Sequence, residues 1–211
     1  MTDAVEDTIR VMCVDDHPIF RQGLSAVIAN GREMKLVAEA ENGTRAIEVF
    51  RLARPDVTLM DLRLPDLHGV EVINQIRAEF PNARIIVLTT EIGDAHIQRA
   101  LAAGAMGYLL KGMPMTELLA VIRAVAAGKT SIPGVVATHI AEHMADKPLS
   151  ERETEVLRLI AAGHRNKSVA NVLSITEDTV KMHVKNCMSK LGAHDRTHAV
   201  TIAIQRGFIT L

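Results

Sequence analysis

From Ile9 to Ala127, short apolar runs alternate with longer amphipathic segments. Short continuous apolar runs read as strands of a buried parallel sheet, and longer segments with apolar residues recurring at three and four positions read as helices packed on it. The pattern predicts five strands, Ile9-Val14, Lys35-Ala40, Val57-Met60, Ile85-Thr89 and Gly107-Leu110, with helices near 18–29, 43–53, 69–79, 93–103 and 115–127. Several boundaries have local causes. Gly43 follows the second strand, Pro55 precedes the third, Pro81-Asn82 ends the third helix and Gly128 ends the fifth. Five such units in succession predict an α/β fold, a five-stranded doubly wound parallel sheet.

The stretch GKTSIPGVVATHIAEHMADKP then carries Gly and Pro at both ends and reads as a linker over 129–147, with a short helix at 135–144. Beyond it the period is purely helical, over Ser150 to Ala162, Asn166 to Leu173, Asp178 to Leu191 and Arg196 to Gln205. Ser150 with Glu153 forms a capping box that marks the first start. The expected organisation is one domain over 1–128 and an all-α four-helix domain over 148–211.

Composition supports two small domains: 211 residues, 48% hydrophobic, with 2% aromatics, so the cores must be built from Val, Ile, Leu, Ala and Met. Net charge is −4 over 1–144 and +3 over 145–211, an asymmetry that allows an acidic phosphorylation domain and a polyanion-binding tail. Cys13 and Cys187 stand near opposite ends, unlike a disulfide scaffold, and fit a reducing, cytoplasmic compartment. The segment MTDAVEDTIR has no apolar core, and no stretch approaches ~18 uncharged apolar residues, so neither export nor membrane insertion is expected.

In an open parallel sheet, ligands bind beyond the carboxyl ends of the strands. Asp15 and Asp16 follow the first strand, Asp61 the third and Lys111 the fifth, while Thr89 ends the fourth. Three converging carboxylates would repel one another unless a hard divalent cation were held among them, which suits Mg²⁺. With a lone ammonium opposite, the set can transfer a phosphoryl group to Asp61, and Thr89 can donate a hydrogen bond.

The segments VDD, LMDLRLPDLHGVEV, VLTT and GYLLKGMP resemble the receiver domain of response regulators, over about residues 8–128. The resemblance implies a flavodoxin-like receiver in which Asp61 accepts phosphate from a sensor histidine kinase. It also implies that Asp16, Asp61 and the Arg63 carbonyl bind Mg²⁺, that Asp15 supports them through water, that Thr89 and Tyr108 form the switch, and that Lys111 clamps the phosphoryl group. Many receivers carry Pro directly after this Lys; here Gly112 follows, with Pro114 two residues on. Arg63 and Glu91, each two residues beyond Asp61 and Thr89, are expected to tune phosphoryl lifetime.

In the tail, Val180, Val184, Cys187, Met188 and Leu191 recur at helical spacing and give one buried stripe. The opposite face carries Lys181, Met182, Lys185 and Ser189, with Thr179 near the start, which suits a helix inserted in a major groove. Lys181, Met182 and Lys185 are the expected base readers. Thr176 is the expected N-cap of this helix and Asn166 that of the preceding one. Asn166, Lys167, Thr179 and Lys190 are the backbone-contact candidates. The segment GHRNKSVANVLSITEDTVKMHVKNCMSKLG is similar to the LuxR-type helix-turn-helix, over about 149–211. With the receiver, it makes the chain resemble the NarL/FixJ family. His164, His183, His194 and His198 are not spaced to close a tetrahedral metal set with Cys187.

One short helix reads DNA weakly, so a homodimer on double-stranded DNA is expected, and the resemblance implies that phosphorylation drives it, with RNA polymerase a further partner. Phosphate on Asp61 would rearrange Thr89 and Tyr108 and change the surface of the fourth and fifth helices. The alternative is a phosphate-independent regulator using the receiver as a dimerisation module. A phosphatase with an aspartyl intermediate would need a separate acid and substrate pocket, for which the sequence offers no candidate; self-phosphorylation and autodephosphorylation at Asp61 are the only chemistry expected.

Overall fold

The computed structural model describes residues 8–29, 33–90, 93–143 and 146–209. Glu91, expected to flank the phosphoryl group, lies outside them. The order is β1 Ile9–Val14, α1 Pro18–Ala29, β2 Met34–Ala40, α2 Gly43–Ala53, β3 Val57–Met60, α3 Gly69–Glu79, β4 Ile85–Thr89, α4 Asp94–Ala102, β5 Gly107–Leu110 and α5 Met115–Ala126. There follow α6 Gly134–Glu142, α7 Glu151–Ala161, α8 Asn166–Leu173, α9 Glu177–Leu191 and α10 Arg196–Gln205. Two compact units result, Met1–Thr90 with Gln98–Ala137, and Glu91–Ile97 with Thr138–Leu211.

In the first unit all five strands are parallel, in the order β2-β1-β3-β4-β5. Every residue of β3 and β4 is buried, as helices on both faces require. On one face Val11, Cys13, Leu59, Ile86, Leu88 and Leu109 pack with Leu24 and Ile28 of α1 and Leu118, Val121, Ile122 and Val125 of α5. The alternate strand positions Met12, Val14, Met60 and Val87 are equally buried on the opposite face. The chain runs outward from β1 to β2 and then back across to β3. The carboxyl ends of β1 and β3 therefore flank the point where the winding reverses.

The stretch predicted as a linker is more ordered than its Gly and Pro content suggests. Gly128 takes the left-handed conformation at φ 79° and ends α5, but Ser131 then bridges Gly107 in parallel at the edge of β5. Helix α6, expected at 135–144, follows at Gly134–Glu142 with Val136 fully buried.

The second unit contains four helices after residue 150, with the capping box of Ser150 and Glu153 in place at the start of α7. Val156 and Ile160 pack with Val169, Ala170 and Val180, while Leu157 packs with Cys187, Leu191, Ala199, Ala203 and Ile209. Helices α7 and α9 thus both contribute to the two clusters that hold the unit together. Cys13 and Cys187 are both buried, and burial pushes each thiol up to about 12.

Thr58 lies at the middle of the sheet, fully buried, and its Oγ1 is the one buried side-chain polar atom among the described residues without a hydrogen-bond partner. Removing an unsatisfied hydroxyl from a core is favourable. Thr58→Val is expected to raise stability by about 1 kcal/mol, read as a higher thermal unfolding midpoint; an unchanged or lower midpoint would show that the hydroxyl is bonded.

Candidate functional site

Two backbone hydrogen bonds carry the ladder one residue beyond the strands: Asp15 N–H donates to Ala40 O at 3.0 Å and Asp61 N–H donates to Val14 O at 2.9 Å. Both carboxylates are therefore set by the sheet and both are buried, 2% and 3% exposed. From the far side of β4, Lys111 N–H donates to Thr89 O at 2.9 Å, which aims its side chain back across the strand ends. Lys111 Nζ then lies 2.6 Å from Asp61 Oδ2 and 2.7 Å from Asp15 Oδ2.

The electrostatics follow from this packing. Burial pushes the Asp61 carboxyl above the ordinary range, against the pull of Lys111, with Asp15 adding to the rise. Burial alone would lower Lys111, but the two carboxylates outweigh it and raise its pKa. Lys111 therefore holds its proton and serves as the counter-charge of the pair.

The ligand atoms of Asp15, Asp16, His17 and Asp61 lie within 4.8 Å of one another and fit around one cation. Three are carboxylates, hard oxygen donors of the kind Mg²⁺ takes. His17 was not legible as a site residue. Its Nδ1 lies 2.7 Å from Asp16 Oδ1 and 3.1 Å from Asp15 Oδ1. Arg63 N–H donates to Asp61 Oδ1 at 3.3 Å, which places the Arg63 backbone beside the acceptor. His17, Ile19, Phe20, Asp61, Arg63, Thr90 and Lys111 line an open cavity of about 500 Å³. Thr89 is fully buried, and its neighbour Thr90 is the threonine that reaches the cavity. Tyr108 is fully buried on β5, paired in register with Val87.

On α9, Val180, Cys187 and Leu191 are buried, whereas Lys181, Met182 and Lys185 are exposed, Met182 to 51%. A single exposed methionine is ordinary on a protein surface, but beside two lysines it forms a face that can pack against a base edge. Lys181 Nζ donates to Asp178 Oδ1 at 3.0 Å, a surface pair that is readily exchanged. Thr176 caps the helix, accepting from Thr179 N–H at 3.2 Å.

The model of the response regulator receiver domain matches residues 11–123, and that of bacterial regulatory proteins of the luxR family matches 147–203. The chain belongs to the NarL/FixJ family of response regulators. It is 38% identical to the transcriptional regulatory protein YxjL of Bacillus subtilis (strain 168), over 97% of this chain and 99% of that one. It is 36% identical to the response regulator protein VraR of Staphylococcus aureus (strain COL), over 96% and 99%. Its structure is similar to that of RcsB from Salmonella enterica serovar Typhimurium bound to the promoter P1flhDC in the presence of phosphomimetic BeF3-. The TM-score is 0.74 at 30% identity, over 92% of this chain and 97% of that one.

Two expectations for the response regulator's DNA-binding domain need correction. Arg165, not Asn166, occupies the N-cap of α8, with no side-chain cap, and Asn166 is the first helical residue. Asn carries the usual capping signal, but the chain turns one residue earlier. Lys190 is not a free phosphate contact, because its Nζ donates to Glu153 Oε2 at 2.7 Å and to Pro148 O at 3.0 Å. Periodicity placed Lys190 on α9 but could not show that α7 begins beside it. The pattern also missed Arg165, which with His164, Lys167, Ser168 and Asn171 lines an open cavity of about 470 Å³ at the start of α8.

Burial opposes the charge on Glu153, but Lys190 and the Ser150 N–H outweigh it and hold its pKa below the usual carboxylate range. A lowered folded value means that the stabilisation is complete above the ordinary carboxylate range and is lost as pH falls through the folded value. Lys190→Ala leaves that carboxylate buried without its cation and is expected to cost about 1–3 kcal/mol at neutral pH, with the loss shrinking in acid. Chemical unfolding at both pH values checks this; equal losses would show that packing, not charge, is involved.

Proposed function

We propose that a sensor histidine kinase phosphorylates this response regulator on Asp61 in the presence of Mg²⁺, and that the phosphorylated form binds DNA as a homodimer to regulate transcription. The observation that carries the reading is the Lys111 ammonium within 2.7 Å of both buried carboxylates at the mouth of a cavity. No stability argument needs so many charges at one set of strand ends, because burying charges without function is unfavourable.

Asp61 acts as the nucleophile. One carboxylate oxygen attacks the phosphorus of a phosphohistidine, a P–O bond forms, the P–N bond breaks with its electron pair going to nitrogen, and the imidazole leaves neutral, keeping the proton already on its other ring nitrogen. The product is an acyl phosphate. Lys111, already bonded to Asp61 Oδ2, follows the charge onto the phosphoryl oxygens and opposes its build-up during transfer. Asp15, Asp16, Asp61 and the Arg63 carbonyl would hold Mg²⁺, which when bound neutralises phosphoryl charge. Attack of water on phosphorus returns the carboxylate and inorganic phosphate. This self-phosphorylation and autodephosphorylation is the only turnover proposed, and the site of action is cytoplasmic.

Thr89 and Tyr108, buried on adjoining strands, register the new phosphoryl group and alter the surface carrying α4 and α5. On the DNA side, Lys181, Met182 and Lys185 read bases, while Lys167, Thr179 and the start of α8 meet phosphates. The promoter-bound structure of RcsB supports this use of the domain. RNA polymerase is the further partner through which transcription responds.

Incubation with acetyl phosphate and Mg²⁺, followed by intact mass and oligomeric state, is the direct test. Wild type is expected to gain one hydroxylamine-labile phosphoryl group and dimerise, and Asp61→Ala to do neither. No adduct with DNA binding retained would favour a phosphate-independent regulator. For DNA, Lys185→Ala is expected to weaken operator binding roughly tenfold. If Lys185 reads a base, specificity relaxes at one position; if it meets phosphate, the salt slope falls by about one. Binding unchanged across a salt titration would remove Lys185 from the interface.

A further inference from the structure

Asp66 lies in the loop between β3 and α3 and its side chain is exposed, yet its carboxylate accepts four hydrogen bonds. Oδ1 accepts from Gly43 N–H at 2.7 Å and Leu67 N–H at 2.8 Å; Oδ2 accepts from Thr44 N–H at 2.8 Å and from the Thr44 hydroxyl at 2.6 Å. The Thr44 hydroxyl first, then these backbone N–H groups, hold the Asp66 carboxyl well below the usual carboxylate range. Helix α2 already has a cap, since Asn42 accepts from Arg45 N–H at 2.8 Å. The bonds from Gly43 and Thr44 to Asp66 span more than twenty residues, and they tie the loop to the helix.

The approach is close. A Cβ on Gly43 would stand 2.8 Å from Leu67 Cβ and 2.7 Å from Val72 Cγ2, so only glycine lets the loop press on the first turn of α2. The other end of the loop is as tightly held. A Cβ on Gly69 would stand 2.2 Å from Asp61 O, Gly69 N–H donates to Leu62 O at 2.8 Å, and Arg63 bridges His68. Residues 62–68 therefore form a closed turn, held at its base by the Gly69 to Leu62 bond and the close approach of Gly69 to the Asp61 carbonyl, and at its tip on α2 through Asp66.

We propose that Asp66 is a positioning residue for phosphoryl transfer, which holds the turn rigid so that the Arg63 backbone stays beside Asp61 to complete the cation site. The inference rests on the proposed Mg²⁺-dependent phosphorylation of Asp61. Groups that orient a ligand without touching the metal commonly change its affinity by roughly 10–100-fold.

Calorimetric titration of the full chain with MgCl₂ tests it, alongside thermal unfolding and acetyl phosphate labelling across Mg²⁺ concentrations. Asp66→Ala is expected to weaken Mg²⁺ binding roughly tenfold and to shift half-maximal labelling by the same factor, while labelling at saturating Mg²⁺ reaches the wild-type level. Asp66→Asn keeps one acceptor oxygen and is expected to fall between the two. Thr44→Ala removes a single bond to the same carboxylate and serves if Asp66→Ala does not fold. A lower unfolding midpoint with unchanged Mg²⁺ affinity would overturn the inference and leave Asp66 a structural tie. Absence of Mg²⁺ binding by wild type would overturn the parent reading, and this one with it.

Discussion

Two like charges buried side by side demand a counter-charge, and in the receiver unit that demand falls on one ammonium. Asp15 and Asp61 come from strands that are hydrogen-bonded neighbours, whereas Lys111 comes from β5, beyond β4. The lysine must reach over the end of β4, and the bond from its N–H to Thr89 O sets that reach. Strand order, register and the position of the fourth strand's last residue are thus all expressed in a single three-charge contact. Loss of the ammonium would leave two carboxylates repelling each other in a medium that screens poorly.

The second unit solves a different problem, the presentation of one helix with two unlike faces. The inward face of α9 rests on α7 and α10, and the outward face exposes lysines around a methionine. The pairing of Glu153 with Lys190 ties the start of α7 to the end of α9, so the capping box that begins one helix also fixes the far end of another.

Much of the fold was legible because buried parallel strands and amphipathic helices leave opposite periodicities. Four of the five strands stand at their expected residues, and β2 starts one residue early, at Met34. The strand-end residues Asp15, Asp61 and Lys111 are brought together, since strand ends need no knowledge of loops to be placed. What escaped depends on contacts between segments distant in sequence. His17 faces Asp15 and Asp16 only because of the turn after β1, and Lys190 meets Glu153 across two helices. Asp66 was not singled out, and nothing local shows that its partners lie at the start of α2. Helix α6 was legible as a short helix within the linker, at Gly134–Glu142 against the expected 135–144.

Both thiols have a consequence for how the halves of an assembly are joined. Cys13 sits within the sheet and Cys187 on the inward face of α9, each with its pKa pushed up to about 12 by burial. A thiol held protonated and away from solvent is a poor nucleophile and a poor partner for oxidation. Neither thiol is therefore placed to form a disulfide with a second copy of the chain. A pairing between copies would have to be made and broken through non-covalent contacts, with no covalent memory of it left behind.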